Sequence, residues 1–282
     1  MGQCVRCNKR GIFLRVNKDG LCGYCEKEVE FEKNQRAMAE CRERERARRE
    51  ALEAEKNLPR FPIKSNGEKK KIQAVSFLKE LTYSSITAKS DKNKLGNFVV
   101  LDTETTGLSV SKNDVVEVAA VKYVNFSPVE VFQSFVRPPH GITEEAKLIN
   151  GITEEMVADA PMLYEIIPSL QLFIYGQNLV AHNAEFDFKF LCRAGLDIQS
   201  EKRKYFDTKL IAQKFLKKPK YKYDEEFGSY LPDLDSDYDV DNHKLETLCS
   251  YYGITRSEAH RALGDCLDTG KLFKALVDDK IG

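Results

Sequence analysis

Phe98-Val99-Val100-Leu101-Asp102-Thr103-Glu104-Thr105-Thr106-Gly107-Leu108 decides how this chain folds: four apolar residues rich in β-branched types run into an Asp and a Glu two positions apart, and a glycine-containing turn follows. That is the pattern of a buried strand ending in acid. Side chains at i and i+2 of a strand share a face, so Asp102 and Glu104 are expected to project side by side. Two close carboxylates repel, and burying them without a partner is costly. A divalent cation removes that cost; an exposed acidic pair at a strand end is the alternative.

Further carboxylates in suitable settings lie downstream. His182-Asn183-Ala184-Glu185-Phe186-Asp187 follows the apolar run Leu179-Val180-Ala181 and opens a helical pattern, with Asn183 as its expected cap. His260-Arg261-Ala262-Leu263-Gly264-Asp265 opens the last helical segment.

In order and spacing, the three segments resemble the three exonuclease motifs of the DnaQ-like 3'-5' exonucleases, in the subgroup with four acidic residues and one His. The neighbouring subgroup has Tyr four residues before the last Asp, where this chain has Arg261; His260, five before Asp265, selects the His subgroup. The resemblance covers roughly residues 96 to 276. It implies an α/β, ribonuclease-H-like fold with a mixed central sheet flanked by helices. It also implies that Asp102, Glu104, Asp187 and Asp265 meet at one site. Four hard oxygen ligands suit two Mg²⁺ or Mn²⁺ ions, which serve in-line displacement at a phosphodiester. His260, whose side chain type titrates near neutral pH, becomes the candidate general base for the attacking water. The resemblance further places Thr103, Leu108 and Phe186 against the 3'-terminal nucleotide and makes His182 a site-wall or orienting residue. Asn150 stands where family members often carry His, and His140 and His243 are read as surface residues.

The rest of the chain adds modules. With 282 residues there is room for one full domain and something smaller, and 44 basic against 44 acidic residues give no bulk attraction for any partner. No apolar stretch approaches 18 residues, and Cys4 and Cys7 stand where a signal peptide would carry its apolar run, so a cytoplasmic protein without a membrane partner is expected. Cys4-x-x-Cys7, fourteen residues, then Cys22-x-x-Cys25, with turn signals at Gly11 and Asp19-Gly20, match a Cys₄ site for one structural Zn²⁺. A redox pair would instead use one C-x-x-C in a βαβ setting. Residues 1–25 are thus read as a zinc ribbon, 26–57 as a charged helical spacer, 58–95 as a polar linker and 96–282 as the exonuclease domain. The spacer carries acidic-before-basic pairs at i,i+4 (Glu32/Arg36, Glu40/Arg44, Glu45/Arg49) and no sustained apolar seam. In the linker, Ile72 to Leu81 is expected to form a short helix.

Gly141-Ile142-Thr143-Glu144-Glu145 recurs as Gly151-Ile152-Thr153-Glu154-Glu155, where Thr153 is expected to cap a helix. From about Lys217 to Asn242 the chain reads as an insertion, basic and aromatic first, then acidic. The first part suits backbone neutralisation and base stacking. Asp235, Asp237, Asp239, Asp241 and Glu246 fit a calcium-loop frame, except that Val240 sits where the sharp turn requires Gly. The expected partner is nucleic acid with a free 3' end, DNA before RNA, released as nucleoside monophosphates in a proofreading or repair role. RNA 3'-end trimming is the runner-up. A binding adaptor worked by the zinc ribbon, with a second protein held by ribbon or spacer, is the alternative of another class; its signature, a lost carboxylate, is missing from the motifs.

Overall fold

The computed structural model describes residues 2–3, 5–8, 10–11, 15–63, 81–233, 235–257 and 259–281. The chain divides into two compact units, Met1–Glu53 and Ala54–Gly282.

In the first unit β1 (Gly2–Gln3) pairs antiparallel with β2 (Arg10–Gly11), and α1 (Gly23–Lys56) follows. The Asn17 side chain accepts the N–H groups of Asp19 and Leu21, both at 3.0 Å, closing the turn whose Gly20 has φ +76°. This turn brings Cys22 and Cys25, both buried, towards Cys7: one sulfur from each lies within 4.8 Å of the others. Cys4 and residues 12–14 lie outside the described residues. Among the described side chains of α1, Arg46 pairs with Glu50 at 2.9 Å, and Glu32 pairs with Arg6 at 2.6 Å. Met38 is exposed, in keeping with a helix that has no apolar seam.

The second unit is a three-layer α/β structure. After the short α2 (Lys92–Leu95) come β3 (Phe98–Thr105), β4 (Val115–Val124) and β5 (Ser127–Phe135), an antiparallel meander. Helices α3 (Glu144–Asn150), α4 (Glu154–Val157) and α5 (Leu163–Phe173) lead to β6 (Leu179–Ala181), α6 (Ala184–Arg193), β7 (Tyr205–Asp207) and α7 (Thr208–Gln213). A hairpin of β8 (Lys220–Asp224) and β9 (Ser229–Asp233) precedes α8 (Leu245–Tyr251) and α9 (Ala262–Ile281). The mixed sheet runs β5-β4-β3-β6-β7, with β3 antiparallel to β4 and parallel to β6.

Alternation along β3 divides the core. Phe98 and Val100 pack with Leu263, Cys266 and Phe273 of α9, whereas Val99 and Leu101 pack with Phe188 and Leu191 of α6. Helix α9 lies so close to β4 that a Cβ on Gly270 would stand 2.2 Å from the Tyr123 ring.

The stretch expected to be a polar linker is in part structural. Phe61 N–H donates to Val131 O at 2.7 Å and Val131 N–H to Pro59 O at 2.8 Å, so residues 59–61 extend the edge beside β5. Phe61 packs edge-on against Phe173 at 5.3 Å, and Ile86 is buried in the core. Apolar side chains spaced through a polar stretch were the overlooked signal. Residues 64–80, with most of the helix expected from Ile72, lie outside the described residues.

Local capping differs from expectation in two places. Asn183 adopts φ +67° and its side chain caps nothing; instead Asp207 accepts from the N–H groups of Asn183 (3.1 Å) and Ala184 (2.9 Å) and also from those of Lys209 and Leu210. One carboxylate therefore serves the starts of both α6 and α7. Of the repeated Thr pair, Thr143 caps, accepting from Ala146 N–H at 3.1 Å, and Thr153 does not cap α4.

The insertion forms the β8–β9 hairpin, with Tyr223 and Tyr230 in edge contact at 5.3 Å. Its base is closed by Lys217, whose N–H donates to Asp239 and whose Nζ pairs with Asp237, both at 2.7 Å. Those contacts occupy two of the carboxylates in the calcium-loop frame, and among the described residues the loop adds to no cluster able to hold an ion. Among the described residues no helix is long and apolar enough to cross a membrane.

Candidate active site

Strand β3 delivers the first two carboxylates to the face that receives α9, because Asp102 and Glu104 continue the Phe98 and Val100 row. Asp265, in the first turn of α9, meets them there: one oxygen from each of Asp102, Glu104 and Asp265 lies within 4.8 Å of the others. Thr103 faces the opposite way, towards α6. Its N–H and its hydroxyl both donate to Asp187 Oδ1, at 2.9 and 2.7 Å, and hold that carboxylate, 3% exposed, at the end of β3. Asp187 falls outside that group of three oxygens, but its charge acts on both Asp102 and Glu104.

Burial and mutual repulsion mark the cluster electrostatically. Burial pushes Asp102 well above the usual carboxylate range, and the Asp187, Asp265 and Glu104 charges push it further. Burial raises Glu104 to about 8, with Asp265, Glu117 and Asp187 adding and Arg261 opposing. Asp187 rises to about 7 through burial, against the two hydrogen bonds from Thr103. Asp265 rises to about 6 through burial, against Arg256. Buried hard oxygens held this way fit a divalent cation of the Mg²⁺ or Mn²⁺ type. Among the described residues the sulfurs of Cys7, Cys22 and Cys25 form a second group able to hold a metal, and thiolates suit zinc.

His260 stands exposed two residues before α9, in the left-handed region at φ +58°. Two guanidinium groups clamp the segment that carries it. Arg256 reaches Asp265 Oδ1 through Nη2 and Asp268 Oδ2 through Nε at 3.2 Å, and the buried Asp268 also accepts from Ser257 N–H. Arg261 makes a forked pair with Glu117 of β4, Nε to Oε2 and Nη2 to Oε1, both at 3.0 Å.

The residues expected to meet a nucleotide are placed differently from one another. Leu108 is 86% exposed beyond the β3 turn, and Phe186 packs on Phe190 at 5.0 Å. Thr103 is buried and its hydroxyl is spent on Asp187. His182 has both ring nitrogens engaged, Nδ1 with the Thr208 hydroxyl at 2.8 Å and Nε2 with His243 O at 3.1 Å, and burial pushes it down to about 4. It ties β6 to the segment before α8. His243, expected at the surface, is buried, its Nε2 bonded to Leu216 O at 2.9 Å; the exposed His140 pairs with Asp114. Asn150 is buried and accepts Ile152 N–H at 3.0 Å while its amide faces Thr105 O.

Sequence reasoning missed Glu117, Arg256 and Asp268. A signal existed for Glu117, an acid in the middle of the apolar run Val115-Val116-Glu117-Val118-Ala119.

Comparison with known proteins accords with this geometry. The RNase T exonuclease family model matches residues 99–273. A DNA polymerase III PolC-type protein of Caldanaerobacter subterraneus subsp. tengcongensis is 32% identical over 197 residues, 68% of this chain and 12% of that protein. A DNA polymerase III subunit epsilon-like protein of Rhodobacter capsulatus is 37% identical over 198 residues, 68% of this chain and 25% of that protein. This chain therefore corresponds to a small part of these curated relatives. Among solved structures, E. coli exonuclease I in complex with a dT13 oligonucleotide shares the fold, with a TM-score of 0.51 at 18% identity over 66% of this chain and 41% of that one. With its family match spanning well over half the sequence and ending inside the helix that carries Asp265, the chain belongs to the exonuclease family.

Proposed function

We propose that the second unit is a divalent-metal-dependent 3'-5' exonuclease acting on DNA and releasing nucleoside 5'-monophosphates. The observation that carries this reading is the convergence of Asp102, Glu104 and Asp265 within 4.8 Å, with Asp187 held beside them by Thr103. Bound Mg²⁺ or Mn²⁺ would supply charge stabilisation at the scissile phosphate and activation of water. The four carboxylates would hold the ions. His260, exposed two residues before α9, would take the proton from the attacking water at a ring nitrogen. Leu108, exposed beyond the turn, would offer an apolar surface to the terminal base, and Phe186, packed on Phe190, would be a second contact. The choice of DNA is supported by the polymerase III names of the relatives.

For the first unit we propose one structural Zn²⁺ held by Cys7, Cys22 and Cys25 together with Cys4, and a protein-docking role for ribbon and helix in a cytoplasmic setting. The experiment that tests the enzyme reading follows 5'-labelled single-stranded DNA and RNA of the same sequence with Mg²⁺. A ladder shortened from the 3' end, faster for DNA, is the expected result. Intact oligomers of both kinds would sink the nuclease reading in favour of a binding module, and faster RNA shortening would move the substrate to RNA.

A further inference from the structure

Glu117 is a buried carboxylate beside the site whose hydrogen bonds run to Arg261, Ala262 and Gln133. It lies opposite Glu104 in the β3–β4 register, on the same face of the sheet, and is 0% exposed. Two like charges facing each other across strands destabilise a sheet. Here all the acceptor capacity of Glu117 is used elsewhere: Arg261 takes both oxygens, Ala262 N–H donates to Oε2 at 3.2 Å, and Gln133 Nε2 donates to Oε1 at 2.9 Å. The carboxylate thereby caps the start of α9 from a neighbouring strand and neutralises the guanidinium. The Arg261 guanidinium also lies over the Phe135 ring at 5.2 Å.

We propose that Glu117 and Arg261 are positioning residues that fix the start of α9, setting His260 and Asp265 against the carboxylates of β3. This rests on the nuclease reading above. His260 is bonded directly to Arg261 in the chain, and Asp265 N–H donates to Arg261 O at 3.0 Å, so both candidate site residues hang from the anchored residue. The left-handed backbone of His260 is costly for a residue with a Cβ and persists only where its surroundings impose it. Arg261 on one side and Arg256 on the other impose it. The two clamps differ in kind: Arg256 bonds Asp265 itself, whereas the forked pair of Arg261 is made with Glu117, and the Arg261 charge acts on Glu104. A buried ion pair seldom stabilises more than well-packed apolar side chains of the same volume, so the contribution of this one is direction.

The test uses the full chain. Glu117→Gln/Arg261→Gln removes both charges together and leaves no buried ion unpaired. We expect a cooperative melt close to that of the unaltered protein. Mn²⁺ binding measured by calorimetry without nucleic acid should weaken by about 10 to 100-fold, as for loss of other groups that orient metal ligands. The kcat on a 3'-ended oligomer should fall by a similar factor with KM little changed. Arg261→Lys keeps the charge and loses the fork, and is the variant read if the double one does not fold. Its Mn²⁺ affinity should fall in the same direction, by about 10-fold. A folded variant that binds Mn²⁺ and turns over like the parent overturns the proposal. Should the parent bind Mn²⁺ yet cleave nothing, the nuclease reading fails, and the Mn²⁺ titration alone decides whether Glu117 and Arg261 position the site.

Discussion

Thr103 gives both its backbone N–H and its hydroxyl to a single oxygen of Asp187, at 2.9 and 2.7 Å. The Asp187 charge acts on Asp102 and Glu104. Thr103→Val keeps the β-branched shape and the backbone bond and deletes only the hydroxyl bond. Because Asp187 Oδ1 keeps one donor, the stability loss should stay near ~1 kcal/mol. Mn²⁺ affinity should fall by about 10 to 100-fold, the usual cost of losing a group that orients a metal ligand. Calorimetric titration checks it; unchanged affinity would show that Asp187 needs no such orientation.

Asp187→Asn tests the same carboxylate as a charge. The amide oxygen can still accept from Thr103, so the fold should hold, while one negative charge leaves a cluster that raises Asp102. Without metal the variant should melt at a higher temperature than the parent. Hydrolysis and the metal-induced rise in melting temperature should both be lost. Near-normal turnover would refute the assignment of Asp187 as a ligand.

The crowded acids also fix the direction of a pH effect. Burial raises Glu104 to about 8, Asp187 to about 7 and Asp265 to about 6, so the folded, metal-free protein keeps protons that the unfolded chain has released from ordinary values near 4. Stability from these groups is complete at low pH and is lost as pH rises through their folded values. His182, pushed down to about 4, works the other way and loses its contribution as pH falls from 6.5. Between pH 6.5 and 8 the acids therefore dominate: the metal-free melting temperature should fall across that window. Saturating Mg²⁺, which needs deprotonated ligands, should raise it more at pH 8 than at pH 6.5. Equal Mg²⁺ shifts at the two pH values would contradict a shared cation site.

The acidic strand end and the three motif segments were legible in the sequence because each depends on local alternation and spacing. Asp102 and Glu104 follow a period of two, and Asp265 follows His260 at a fixed interval. What escaped is what only the fold can supply. That Asp207 caps α6 as well as α7 depends on the β6–β7 pairing. His243 looks like any polar loop residue until Leu216 and His182 close around it. Glu117 announces itself as an acid in an apolar strand, yet its partner Arg261 is 144 residues away.

His182 is the counterpart of these buried pairs outside the acidic cluster. His182→Ala would leave the buried Thr208 and the His243 carbonyl without their ring partner, a loss of about 1 to 3 kcal/mol by analogy with other orphaned polar groups. Chemical denaturation should report that loss. A variant as stable as the parent would mean that water replaces the ring without cost and that the link from β6 to α8 is dispensable.

The border between the two units offers a prediction about stability alone. A chain starting at Leu58 keeps Pro59 O on Val131 N–H and Phe61 against Phe173. Removing residues 1–57 should therefore leave the melting of the second unit, and its hydrolysis, close to those of the full chain. Removing residues 1–63 strips the extra edge beside β5 and uncovers Phe132 and Phe173, which Phe61 approaches at 6.4 and 5.3 Å. Fully burying a Phe side chain contributes about 1.5–3 kcal/mol, and the half-buried Phe61 with its two backbone bonds should account for a loss of that order. Denaturant unfolding of the two truncations compares them directly. Equal midpoints would show that residues 58–63 are a linker after all, and an inactive but folded 58–282 chain would show that the cysteine-bearing unit takes part in the chemistry.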